Sequence, residues 1–75
     1  MEYEKLVAII ADVMNVDPDE ITPDTSFTDD LGADSLDLAQ IMMGVESEFD
    51  IEIPAEELDG IVTVEDAAER IKAFL

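Results

Sequence analysis

Apolar side chains recur at three- and four-residue intervals in three separate segments of this 75-residue chain. This spacing is typical of amphipathic α-helices, and the segments run from Glu2 to Asn15, from Ser35 to Phe49 and from Val64 to Phe74. A shorter helical segment, Ala55 to Asp59, precedes Gly60. The pattern predicts an all-α fold, a small four-helix bundle with three main helices, one short helix and a long first loop.

One apolar stripe on each main helix is expected to face the core, because side chains three and four residues apart share a helix face. The stripes comprise Leu6, Ile9, Ile10, Val13 and Met14 on the first helix, Leu38, Ile41, Met42, Val45 and Phe49 on the second, and Val64, Ala67, Ala68, Ile71, Phe74 and Leu75 on the third.

Capping signals mark where two of these helices begin. Asp34 is a suitable N-cap for the second helix, and Asp37 follows three residues later, where a carboxylate favours the positive helix end. Thr63 and Asp66 stand in the same relation at the start of the third helix.

Two connections complete the predicted fold. Residues 16–33 form a long connection that Pro18 separates from the first helix, and loops of this length in small domains are usually packed. Its apolar anchors are Ile21, Phe27 and Leu31. Residues 50–54, DIEIP, alternate like a strand, but Pro54 and the lack of a partner strand favour an extended connection.

The charge balance limits the function. Twenty-one acidic residues oppose three basic ones, for a formal net charge of −18. Such a chain repels nucleic acid and anionic membranes and attracts basic protein surfaces. There is no cysteine for a disulfide, no histidine to act as a general base, no apolar run long enough to span a bilayer and no leader pattern. We expect a complete, cytoplasmic, monomeric protein with one domain over residues 1–75.

The stretch LGADSLDL places Ser35 at the start of the second helix. A hydrolase is excluded, because the chain has no histidine base and no G-x-S-x-G turn. The acidic stretches also lack the glycine spacing of a calcium loop, so no metal site is predicted. A hydroxyl at a helix N-terminus suits a phosphate, because free N–H groups and the helix dipole favour an anion there. Ser35 is therefore either an ordinary helix start, a phosphorylation site or the attachment point of a phosphodiester-linked group.

A second apolar strip lies on the outer flank of the second helix, which we define as Leu36, Ala39 and Met43. These residues fall outside the core stripe and alternate with polar side chains such as Asp37 and Glu46. The pattern fits a docking surface rimmed by carboxylates, and it fits the periphery of a small core equally well.

The stretches FTDDLGADSLD, ESEFDIEIP and IVTVEDAAERI together resemble the free-standing acyl carrier proteins of bacterial fatty acid synthesis. The resemblance covers essentially the whole chain. It implies that Ser35, between Asp34 and Leu36, carries 4′-phosphopantetheine, which a phosphopantetheinyl transferase attaches from coenzyme A. The acyl group is then held as a thioester on that arm, and the chain is not itself an enzyme.

The same resemblance implies two further surfaces. The helix after the serine docks on basic surfaces of fatty acid synthesis enzymes through Asp34, Leu36, Asp37, Ala39, Met43 and Glu46. Gln40 and Ser47 depart from the family, in which many members have glutamate at these positions. An acyl chain would fold back between the second and third helices against Met42, Val45, Ile53, Leu58 and Ile61, which otherwise are simply core.

Two alternatives remain open at the level of the sequence. Carrier proteins of specialised polyketide, peptide or D-alanine transfer pathways share this fold. Peptidyl carriers usually have a second glycine before the serine motif, where this chain has Ala33. A protein that only binds partners would keep the acidic face and leave Ser35 unmodified.

Overall fold

Three α-helices form the framework of the fold: α1 (Glu2–Met14), α2 (Ser35–Phe49) and α3 (Val64–Phe74). Two 3-10 helices, Pro18–Glu20 and Ala55–Gly60, lie in the connections. This computed structural model describes residues 2–75, and Met1 and the side chain of Glu2 lie outside that description. The predicted all-α bundle is confirmed. Within residues 2–75, the β-type pairing is limited to one isolated antiparallel bridge between Ser26 and Thr63.

Both predicted capping motifs are present. Asp34 accepts a hydrogen bond from the Asp37 N–H at 2.9 Å, and Asp37 accepts one from the Asp34 N–H at 3.3 Å. At α3, Thr63 Oγ1 accepts from the Asp66 N–H at 3.2 Å, and Asp66 Oδ2 accepts from the Thr63 N–H at 3.1 Å. Because these bonds satisfy N–H groups that a helix start leaves free, α2 and α3 begin where the sequence predicts.

The ends of α1 and of the short helix each differ from the prediction by one residue, whereas α2 and α3 end where predicted. α1 ends at Met14 because Asn15 adopts a left-handed backbone with φ 58°, which stops the helix. Asp50 ends α2 in the same way, with φ 56°. The short helix extends to Gly60 instead of ending at Asp59, and it is a 3-10 helix.

The core draws on all three helices and on both connections. Its largest fully buried side chains are Phe27, Leu6, Ile10, Ile41, Ile71, Val45 and Val64. Ile9, Val13, Met14, Leu38, Phe49 and Ala68, which the stripes also include, are partly buried against this cluster. The predicted core position of Phe74 and Leu75 is wrong, because these residues at the end of α3 are 36% and 60% exposed.

The long first loop packs as predicted, with Ile21 and Phe27 buried and Leu31 partly buried. Backbone bonds fasten it to the start of α3: the Phe27 N–H donates to Val62 O at 3.0 Å, and the Val64 N–H donates to Thr25 O at 2.9 Å. The 3-10 helix at Pro18–Glu20 was not predicted. Its signal was the pair Asp17–Pro18, because aspartate caps a turn that begins with proline.

The predicted extended connection, residues 50–54, runs from α2 to the short helix without forming a strand. Ile53 is buried, and its N–H donates to Glu46 Oε2 at 2.8 Å. This bond ties the connection to α2. Across residues 2–75, no helix is both long enough and apolar enough to cross a membrane.

We expect Asp66→Asn to destabilise the protein at neutral pH and to have less effect in acid. Bonds from the N–H groups of Thr63 and Val62 lower the pKa of Asp66 from its ordinary value of 3.8. The pKa of Asp66 is lower in the folded state than in the unfolded state. The ionised carboxylate therefore stabilises the fold fully at pH values above the unfolded pKa. The contribution is then lost as the pH falls through the folded pKa.

The measurement is urea unfolding of wild type and variant in dilute solution between pH 7 and pH 2. Glu65→Gln is the matched control, because it removes the same charge from a neighbouring exposed residue of the same helix turn. A gap between wild type and Asp66→Asn that stays constant across this range would contradict the expectation.

Candidate functional site

Ser35 is the first residue of α2, and its side chain is exposed. Gly32 precedes it with φ +67°, in the left-handed region that glycine adopts at little cost. The chain then buries Ala33 and bonds the Ala33 N–H to Phe27 O at 2.7 Å. The serine is therefore presented on the surface by a loop that is anchored in the core immediately before it.

Two acidic residues lie near Ser35 along the chain, Asp34 directly before it and Asp37 two residues after it. Asp34 and Asp37 cap the helix start, so each has an oxygen engaged with a backbone N–H. The first-turn N–H groups and the helix dipole favour a phosphate, while these two acids oppose a free anion. The arrangement therefore fits a phosphate that is held covalently better than one held by charge alone. The chain has no histidine that could act as a general base for this hydroxyl.

Two of the three residues on the outer flank of α2 are exposed to solvent and do not belong to the edge of the core. Leu36 is 72% exposed and Met43 is 66% exposed, whereas Ala39 is half-buried. Met42, the neighbour of Met43, is only 4% exposed. Of the two adjacent methionines, Met42 faces the core and Met43 faces solvent. Large apolar side chains exposed this far are candidates for contact with a partner.

The acids around this flank differ in what they bind. Asp37 belongs to the helix cap and is half-buried, and Glu46, also half-buried, accepts a hydrogen bond from the Ile53 N–H. Sequence reasoning missed this second role of Glu46, because the contact forms only when the chain turns back along α2. Gln40 and Ser47 are exposed, and neither side chain has a carboxylate. This face of α2 is therefore uncharged at both positions.

The five residues predicted to line an acyl pocket all belong to the core or pack against it. Met42, Val45, Ile53 and Ile61 belong to the buried core cluster, and Leu58 packs against it. The Ala55–Gly60 helix, which carries Leu58, contacts α2. The predicted set therefore joins the inner face of α2 to the connection that follows it.

Residues 4–71 match the protein-family model described as a phosphopantetheine attachment site. The chain is 49% identical over 73 residues to the acyl carrier protein of Clostridium acetobutylicum, an alignment that covers 97% of this chain and 95% of the relative. It is also 49% identical over 69 residues to the acyl carrier protein of Clostridium perfringens, covering 92% and 91% of the two chains.

We expect Glu46→Ala to lower the free energy of unfolding by about 1–3 kcal/mol, because it leaves the Ile53 N–H without its charged acceptor. Ser47→Ala is the matched control, since Ser47 is exposed on the same helix and should change stability little. Urea unfolding of both variants gives the comparison. Equal stability of Glu46→Ala and wild type would show that the Ile53 N–H finds water instead.

Proposed function

Because this chain belongs to the acyl carrier protein family, we propose that it carries intermediates of fatty acid synthesis on 4′-phosphopantetheine attached to Ser35. The observation that carries the assignment to this residue is its position. Ser35 is an exposed hydroxyl at the first residue of a capped helix, within the stretch ADSLD. The 4′-phosphopantetheine arm supplies the thiol that this cysteine-free chain lacks, and that thiol holds the acyl group as a thioester.

The residues around Ser35 fit such a group without performing chemistry themselves. Ala33 anchors the backbone in the core, and the Asp34 cap fixes the start of α2, so the attachment point has a defined position. The free first-turn N–H groups favour the phosphate. With no histidine available, activation of the hydroxyl falls to the phosphopantetheinyl transferase, and the chain itself acts as a carrier rather than an enzyme.

The outer flank of α2 is the proposed docking surface for the transferase and for basic-surfaced synthesis enzymes. Its support is the exposure of Leu36 and Met43 beside Asp37, in a chain with a net charge of −18. Charge of one sign steers a partner of the other sign, and apolar side chains then contribute once the two surfaces touch. The five clustered residues on the inner side of α2 are the proposed shelter for the acyl chain.

Ser35→Ala should abolish modification, because it removes the attachment oxygen. The test is the intact mass after incubation with coenzyme A and a broad-specificity phosphopantetheinyl transferase. Wild type should gain the mass of one phosphopantetheine. Ser47→Ala is the matched control, since it removes another exposed hydroxyl from α2, and it should be modified like wild type. A mass gain that persists in Ser35→Ala would overturn the assignment.

Met43→Ala should speed dissociation from the transferase, at a cost of about 1–2 kcal/mol, because its exposed side chain is expected to be buried by the partner. Asp37→Asn should instead slow association and weaken its dependence on salt. Leu75→Ala is the control, because Leu75 is 60% exposed at the far end of the chain. Stopped-flow binding kinetics separate the two effects. The docking surface is wrong if Met43→Ala and Leu75→Ala dissociate at the same rate as wild type.

A further inference from the structure

The segment of residues 51–61 is the outer wall of the proposed acyl pocket. Ile53 and Ile61 are buried in the core near its two ends, and the short helix between them is held less firmly. Its short helix, Ala55–Gly60, begins at Pro54 and has no side-chain cap, whereas α2 and α3 both have capping boxes. No residue of this short helix is buried, and only its Leu58 packs against the core. The position of the wall therefore depends on contacts from the neighbouring helices.

Two side chains supply polar links to this segment, one from each side. Glu46 on α2 accepts from the Ile53 N–H at 2.8 Å. Arg70 on α3 donates through Nη1 to Glu57 Oε1 at 2.5 Å, and the same nitrogen lies 3.3 Å from the backbone oxygen of Glu57. Arg70 thus holds both the side chain and the backbone of one residue in the short helix.

Gly60 makes room for this arrangement. A Cβ atom at this position would clash with Nη2 of Arg70. Gly32 is the glycine that the described chain holds at positive φ, so left-handed backbone does not explain the glycine at position 60. Close approach of the guanidinium does explain it, because a Cβ atom at position 60 would require the guanidinium to shift from its place beside Glu57.

The ion pair between Arg70 and Glu57 lies in a strongly acidic part of the chain. The short helix contains Glu56, Glu57 and Asp59, and α3 contains Glu65, Asp66 and Glu69. Like charges on two neighbouring elements favour their separation. Arg70 is one of only three basic residues in the chain. It pairs with Glu57 of the short helix. The backbone hydrogen bond from Thr63 is the main cause of the lowered pKa of Asp66 on α3, and the charge of Arg70 also contributes to it.

We propose that Arg70 is a clamp that holds the Ala55–Gly60 helix against α3 and thereby sets how readily the acyl pocket opens. This rests on the proposed function in one respect, namely that the chain shelters an acyl group behind this wall. Arg70 is a positioning residue: it acts through the short helix and does not line the pocket itself.

The two links differ in how easily they release. The Ile53 N–H is part-buried, so losing its acceptor exposes an unsatisfied donor. The side chains of Arg70 and Glu57 are 36% and 33% exposed, so water can solvate both charges when they separate. We therefore expect the short helix to separate from α3 at Arg70, while Ile53 and Ile61 stay in the core.

The first test measures amide hydrogen exchange in the unmodified protein. Arg70→Met removes the charge and keeps an unbranched apolar stem, and it should speed exchange of residues 55–61 by about two- to five-fold, the range expected for a partly exposed ion pair. Lys5→Met is the matched control. Lys5 also links two elements, through Glu48 at 3.5 Å, but that link joins α1 to α2. Equal exchange of residues 55–61 in the two variants would overturn the clamp.

Gly60→Ala tests the same clamp without changing any charge. The added methyl group should displace the guanidinium and speed exchange of residues 55–61. In the Arg70→Met background it should speed exchange no further, because there is no guanidinium left to displace. Additive effects of the two substitutions would show that Gly60 acts independently of Arg70, which contradicts the clamp.

The second test adds the acyl chain. Wild type, Arg70→Met and Lys5→Met are loaded at the serine with an octanoyl arm from octanoyl-coenzyme A by a phosphopantetheinyl transferase. Their melting temperatures are compared with those of the same proteins carrying an unacylated arm. Acylation should stabilise Arg70→Met more than the other two, because opening its wall no longer breaks the Arg70 link. If acylation stabilises all three proteins equally, Arg70 does not control the opening of the acyl pocket.

Methyl chemical shifts of Met42 and Ile53 in acylated wild type separate this proposal from the proposed function. If they move on acylation and Arg70→Met differs from Lys5→Met, both stand. If they do not move, the acyl shelter is wrong and with it the role of Arg70 in opening it. The exchange result then describes a purely structural clamp.

Discussion

One shared apolar core holds this molecule together against the repulsion of its own charge. The chain has no disulfide and a net charge of −18, so burial of apolar side chains must outweigh a self-repulsion that favours expansion. Phe27, Leu6 and Ile71 come from the long loop, α1 and α3 and meet in the same cluster. The long loop contributes side chains to the core, as the helices do. Because this loop leads directly to Ser35, the packing of the core also fixes the position of Ser35.

The parts of the fold that could be predicted from the sequence are those with local causes. α2 and α3 have the expected bounds because each begins with a capping pair three residues apart, and this signal lies entirely within one helical turn. Phe27 was recognised as an anchor because a large apolar residue in an otherwise polar loop has few other places to go. The exposed end of α3 was not predictable, because its apolar spacing continues to the end of the helix and spacing alone does not show which positions pack against a partner.

The candidate site also contains features with local causes, which the sequence predicts, and long-range contacts, which it does not. The position of Ser35 followed from the motif and the cap, both of which are local. The bonds from Glu46 to the Ile53 N–H and from Arg70 to Glu57 join residues seven and thirteen positions apart. They depend on how residues 50–61 fold back between two helices, and no periodic pattern encodes that path. Gly60 was the available signal, since a glycine after a short helix can mark a close approach as well as a turn.

Much of the acidity of this chain has a structural use in addition to any attraction for basic partners. Asp34, Asp37, Glu46 and Asp66 all accept hydrogen bonds from backbone N–H groups. Removing one of these carboxylates changes a helix start or a connection as well as the surface potential. Gln40 and Ser47, by contrast, are exposed. Charge can therefore be added to the outer side of α2 at those two positions more safely than it can be removed from its neighbours. Gain of charge there is the cleaner way to separate electrostatic steering from the stability of the fold.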